Sequence, residues 1–216
     1  MTKKFIAGGC SFTLGNELSD DVDGKTPSKM SWAHGLKTDS SDDYVCTAFG
    51  GLGNPAIARR VFNAVANNKN VKCVVVMWSF LSRYDWAMPR SKYLEDTRWA
   101  TITPWDTDKK QGEVFKSLAG SEPQQEIWRK RRENLSTTGV REFANSLYKY
   151  AANEYHEIYQ SWKSIIWLQN ILEKKNIKYF FTLADNTLFY NDMTPHSQTD
   201  KLLENLHKEI DFTNWF

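Results

Sequence analysis

The chain has 216 residues, 41% of them hydrophobic and 25% charged, with only 6 prolines, a composition that describes a globular protein and excludes a disordered one. Its length suits one sizeable domain carrying an insertion rather than two ordinary domains. A net charge of +2 at pH 7 gives no global pull toward nucleic acid or an acidic membrane surface, so neither is expected as a partner.

The opening "MTKKFIAGGCSF" has an apolar stretch far shorter than the roughly 7–15 residues of a signal-peptide core. No window approaches the roughly 18 apolar residues that span a bilayer. Cys10, Cys46 and Cys73 are an odd set without metal-type spacing, each in or beside an apolar run, so they are expected as buried reduced thiols. A cytoplasmic protein without metal or other cofactor is the expectation. Nine tryptophans imply aromatic packing, the commoner use, or a cleft of rings that stack on sugars or bases.

Residues 5–8 and 44–48 ("YVCTA") are short β-prone runs. Between them "SWAHGL" predicts a short helix with its tryptophan inward. In "FGGLGNPAIARRVFNAVANN", Ile57, Val61, Ala64 and Val65 share one helical face, with Asn54 expected as N-cap and Pro55 at the first helical position. "VKCVVVMW" at residues 71–78 is apolar without alternation, which predicts a strand buried on both faces; it is expected at the centre, flanked by the strands at Phe5 and Tyr44. From about 84 to 140 the pattern becomes polar and tryptophan-rich, an insertion with little regular structure at first and a helix near 123–134. The charges at 129–132 suit a solvated helix face better than a phosphate site. Helical periodicity resumes over 140–175, where Ile158, Trp162, Ile165, Ile166 and Leu172 form a stripe. "IKYFFTL" (177–183) is the next strand. A last helix over 197–210 places Leu202, Leu203, Leu206 and Ile210 inward. "IDFTNWF" at the end has the character of a fifth strand or its lead-in.

Strands alternating with helices imply an α/β fold, a three-layer α/β/α sandwich around a central parallel sheet. In such sheets the reactive crevice lies beyond the carboxyl ends of the strands. Ser11 follows the first strand, Gly50, Gly51, Gly53 and Asn54 follow the second, and Ser79 and Arg83 follow the third.

The block Gly9-Cys10-Ser11-Phe12-Thr13-Leu14-Gly15 resembles the opening motif of the SGNH, or GDSL-like, hydrolases, in particular the divergent members found in tailed phages. The resemblance covers about the first 83 residues and implies a flavodoxin-like strand order. It also implies a Ser11 nucleophile and an oxyanion donor at Gly51, with Asn54 close behind. The family's third block ordinarily offers an asparagine after the central strand; here the turn is "MWSFLSR", with Ser79 the nearest substitute and Arg83 beside it for substrate. A serine hydroxyl needs a base to take its proton, and the developing oxyanion needs donors aimed at it beforehand. The family's last block is Asp-x-x-His. Of His34, His156, His196 and His207, only His196 precedes a terminal helix with an aspartate nearby, Asp192, four residues away instead of three. Two alternatives stand equally: Asp192 and His196 are the working pair, or the true block follows the fifth strand beyond Phe216. Ser11 and Asn54 also have purely structural uses as helix caps.

Two functions follow from the resemblance. One is an esterase-type hydrolase acting on an acyl ester, for instance of an acetylated carbohydrate, with the tryptophan-rich insertion as a substrate wall. The other is a catalytically degenerate domain of the same fold that binds a ligand or a protein. A nucleic-acid role resting on Trp128 and the charges after it is a distant third.

Overall fold

The structure is a computed structural model that describes residues 2–16, 18–21, 23–37, 41–88, 99–108, 129–130, 133, 138–189 and 201–216. The chain forms two compact units, one of Met1–Leu81 with Glu154–Phe216 and one of Ser82–Asn153.

The first unit begins with β1 (Lys4–Gly8), α1 (Ser11–Leu14), α2 (Trp32–Gly35), β2 (Asp43–Cys46), α3 (Asn54–Asn67) and β3 (Val71–Trp78). The second unit holds β4 (Tyr84–Ala87), β5 (Trp99–Ile102), a 3-10 turn at Pro104–Asp106 and α4 (Val140–Tyr150). The chain then returns to the first unit through α5 (Glu154–Lys174), β6 (Lys178–Leu183) and α6 (Lys201–Lys208).

Four strands make one parallel sheet in the order β2-β1-β3-β6. The run of apolar residues in β3 does place it inside the sheet, but between β1 and β6. The expected flanking by the strands at Phe5 and Tyr44 is therefore corrected: β1 lies between β2 and β3, with Phe5 opposite both Tyr44 and Cys73. Uniform hydrophobicity reports burial on both faces and is blind to which strand is the neighbour.

Alternation along the strands sorts the sheet into two faces. Ile6, Val74, Val76, Trp78 and Phe181 join a core with residues of α3, α5 and α6, including Val61, Ile165 and Leu203. Phe5, Ala7, Cys73 and Val75 pack with Ala33 and Trp32 of α2. Helices on both faces of a parallel sheet are compatible with a three-layer sandwich. Trp78 and Phe181 are both fully buried and meet edge-on, ring centroids 5.2 Å apart, so the sheet is stitched from inside by its largest rings.

Two helical expectations need correction. Gly53, in extended conformation, is the N-cap of α3, and Asn54 is the first helical residue. In α6, Leu203 is buried but Leu202 is 48% exposed: consecutive residues stand about 100° apart on a helix, and the inner face of this short one is centred on Leu203, with Leu202 beyond its margin. The C-terminal residues do approach the sheet: Trp215 forms a parallel bridge with Phe181, and the Phe216 N–H donates to the Phe181 carbonyl at 3.1 Å.

In the second unit β4 and β5 pair antiparallel, with Tyr84 opposite Ile102 and Trp86 opposite Ala100. That hairpin packs on α4 through Tyr84 against Tyr148 and Trp86 against Phe143. The Tyr148 hydroxyl donates to the Ser82 carbonyl at 2.6 Å. Of the helix expected near 123–134, only residues 129, 130 and 133 are described, and they are helical; Arg129 and Lys130 are exposed, and the rest of that segment lies outside the described residues.

Candidate functional site

Parallel strands carry all their carboxyl ends to one edge, so the segments after β1, β2 and β3 emerge together. Three contacts join them pairwise. The Phe49 N–H donates to the Gly9 carbonyl at 3.4 Å, linking the segment after β2 to the one after β1. The rings of Phe12 and Phe80 lie 6.2 Å apart and link β1's exit to β3's. Asn54 links β2's exit to β3's: its Oδ1 accepts from the Ser79 N–H at 2.6 Å, and its Nδ2 donates to the Ser79 carbonyl at 3.1 Å.

The serine motif owes most of its form to packing. Gly9 has φ +156°, and a Cβ there would lie 2.6 Å from the Thr13 Cβ and 3.2 Å from the Met77 carbonyl oxygen. Cys10, Thr13 and Leu14 are buried. Gly15 ends α1 as a left-handed C-cap with φ 84°, its N–H donating to the Ser11 carbonyl. Ser11 opens α1 and is half-buried. Among the described residues nothing hydrogen-bonds its hydroxyl or its backbone N–H. The same holds for the N–H of Gly51, in the segment after β2. A short helix leaves its leading N–H groups without intrahelical partners, so Ser11 brings one donor of its own to this edge.

Asn54 is 1% exposed, and its second Nδ2 hydrogen goes to Ser161 Oγ at 3.0 Å. An amide has two donor hydrogens, and both are engaged. Ser79 is likewise buried, at 1%, its two backbone groups held by Asn54, so it faces protein rather than solvent. Arg83 belongs to the second unit and is half-buried. Asp192 and His196 lie outside the described residues.

Comparison with family models, curated proteins and solved structures finds no match to this chain.

No described histidine is hydrogen-bonded to Ser11. His34 sits on α2 with its ring 5.0 Å from Tyr44 near the start of β2, toward the opposite edge of the sheet. His207 of α6 is exposed and packs among the rings of Trp162, Phe189 and Phe212. His156 is exposed on the first turn of α5. Among the described residues there is no group of three metal-ligating side chains, and no helix is long and apolar enough to cross a membrane.

The cysteines are all free; Cys10 and Cys73 are buried and Cys46 only partly so. Burial pushes the Cys46 and Cys73 thiols above the usual range, which keeps them protonated and poor nucleophiles.

Sequence reasoning passed over Phe80, Phe49 and Ser161. The signal for Ser161 is present: a serine lying in the apolar stripe between Ile158 and Trp162 must find a partner when buried. Phe49 and Phe80 carry no local signal, since a phenylalanine after a strand has the same appearance in a core and at a cleft.

Proposed function

We propose that the chain is a serine hydrolase of the SGNH type, acting on an acyl ester such as an acetylated carbohydrate, with Ser11 as nucleophile. The observation that carries this is Ser11 itself: half-exposed at the carboxyl end of an interior parallel strand, with its hydroxyl and N–H not engaged by any described residue. The strand order β2-β1-β3-β6 supports the flavodoxin-like arrangement that the motif implies.

In this reading the Ser11 Oγ attacks the acyl carbon and its proton passes to the base, for which Asp192 and His196 are the candidate pair. The tetrahedral oxyanion is held by the N–H groups of Ser11 and Gly51, each donor worth roughly 3–4 kcal/mol in the transition state. The alcohol then leaves with a proton from the base, and water attacks the Ser11 acyl ester to release the acid and restore the hydroxyl. Asn54 is excluded from the oxyanion site in this reading because both its hydrogens are engaged elsewhere.

A second reading, a non-catalytic binding domain of the same architecture, is favoured by one observation: no described histidine meets Ser11. Covalent labelling with a fluorophosphonate separates the two without knowledge of the substrate. The hydrolase is expected to be labelled, and Ser11→Ala and His196→Ala to abolish labelling. Labelling that persists in His196→Ala assigns the base elsewhere, and a wild-type protein that never labels favours the binding domain.

A further inference from the structure

We infer that Asn54 is a positioning residue for Ser11, gripping the exit of β3 so that Phe80 backs Phe12 and fixes the short helix that carries the serine. The inference rests on the proposed nucleophile. Its material is the chain of contacts from α5 to the serine: Ser161 to Asn54, Asn54 to both backbone groups of Ser79, and the next residue, Phe80, ring against ring with Phe12.

Only an amide side chain suits this place. It offers one acceptor and two donors in a plane, as a peptide pair does, so it can satisfy the N–H and the carbonyl of one residue and still reach a hydroxyl. Aspartate has no hydrogen to give the Ser79 carbonyl, and leucine would leave both groups buried without partners.

The serine's helix needs outside support. Four residues are too few to hold a helical turn by their own hydrogen bonds, so the direction of Ser11 Oγ follows what α1 rests on. Thr13 and Leu14 anchor its inner side. On its outer side Phe12 is 55% exposed and leans on Phe80. Releasing the Ser79 backbone from Asn54 loosens the segment from which Phe80 projects, and with it that support.

The test is the rate of Ser11 labelling against fluorophosphonate concentration, in wild type, Asn54→Ala, Phe80→Ala, Ser161→Ala and the Asn54→Ala/Phe80→Ala pair, with thermal unfolding followed in parallel. Folded Asn54→Ala and Phe80→Ala are expected to lose maximal labelling rate by up to roughly 10²-fold, the cost of an ångström-scale misplacement, while the half-saturating probe concentration stays put. Because the two act in series, the double variant should be no slower than the slower single one. Ser161→Ala, which spares both bonds to Ser79, should lose less than Asn54→Ala.

Wild-type rates in both folded single variants would overturn the inference and leave the nucleophile standing, and so would fully multiplicative losses in the pair. If Asn54→Ala does not fold, Phe80→Ala, which leaves the amide network intact, decides by the same criterion. Absence of labelling in the wild type overturns the nucleophile and this inference together.

Discussion

Within the motif from Gly9 to Gly15, most positions are explained by shape. Gly9 admits the Thr13 side chain, Gly15 turns the chain out of α1, and Cys10, Thr13 and Leu14 fill the space beneath. Ser11 and Phe12 are left with no task in the core, which is why they carry the functional proposal. Gly9→Ala would drive a methyl into Thr13, and overpacking of this kind costs roughly 1–3 kcal/mol; chemical denaturation should show that loss, and a Gly9→Ala/Thr13→Ser pair should not restore it, because serine keeps both the hydroxyl oxygen and the Cβ that would lie 2.0 Å and 2.6 Å from the added atom. Part of the motif's spacing was legible because it is local: Gly9 answers to Thr13, and Gly15 closes the helix on the Ser11 carbonyl, although Met77, Ser28 and Phe80 also pack against it from outside. Asn54 was misjudged as a cap for the opposite reason. The Asn-Pro signature is local, whereas its partners Ser79 and Ser161 lie 25 and 107 residues away.

The long elements follow from their periodicity, and the connections between them do not. In α5, Ile158, Trp162, Ile165 and Leu172 of the expected stripe are buried, and Ile166, at its margin, is half-buried. A second amide clamp stands on the buried side of that helix: Gln169, 4% exposed, donates from Nε2 to the Glu209 carbonyl at 3.1 Å and accepts the Asp211 N–H at 2.9 Å. It fixes the turn that leads from α6 toward the Phe181–Trp215 bridge. Gln169→Leu keeps the volume but strands both backbone groups, and should cost about 1–3 kcal/mol. Hydrogen exchange should locate the loss at Asp211 and Phe216; unchanged protection there would show that the turn is held by its rings alone. The β4–β5 hairpin escaped sequence reading because its strands, "YDWA" and "WATI", are short and sit in a polar, tryptophan-rich stretch, whereas β2, equally short, carries the β-prone run "YVC". Too few alternations fall in such a run for a period of two to emerge from a polar background.

At the scale of the whole molecule, the fold makes four of the described thiols and phenols hold their protons more tightly. Burial raises the thiols of Cys46 and Cys73 and the phenols of Tyr44 and Tyr179, the last also facing the Glu173 carboxylate at 2.9 Å. A group whose proton is held more tightly in the folded than in the unfolded chain lends stability below its unfolded value, and that contribution falls as pH rises through the folded one. The loss begins near the ordinary thiol value of about 8.5 and steepens above about 10, where unfolded tyrosines ionise. Denaturation midpoints should therefore hold steady from pH 7 to 8 and drop by pH 10; a flat profile to pH 10 would mean that these groups are as accessible folded as unfolded. The parallel sheet itself was legible in the alternation of apolar runs with helical stripes, since each run must be covered on both faces. The order of its strands was not legible in their composition, because pairing is decided by crossover handedness and twist rather than by any one strand's residues; only the motif's resemblance pointed to an order. The base for Ser11 was not legible either: with an aspartate four residues from His196 instead of three, local spacing leaves two alternatives open. The central claim is the nucleophile, and it is tested most directly by treating the native chain with a fluorophosphonate and mapping the adduct by peptide mass. The account predicts a single adduct on Ser11 that forms in the folded protein and not after denaturation; no adduct, or one on any other residue, would contradict it.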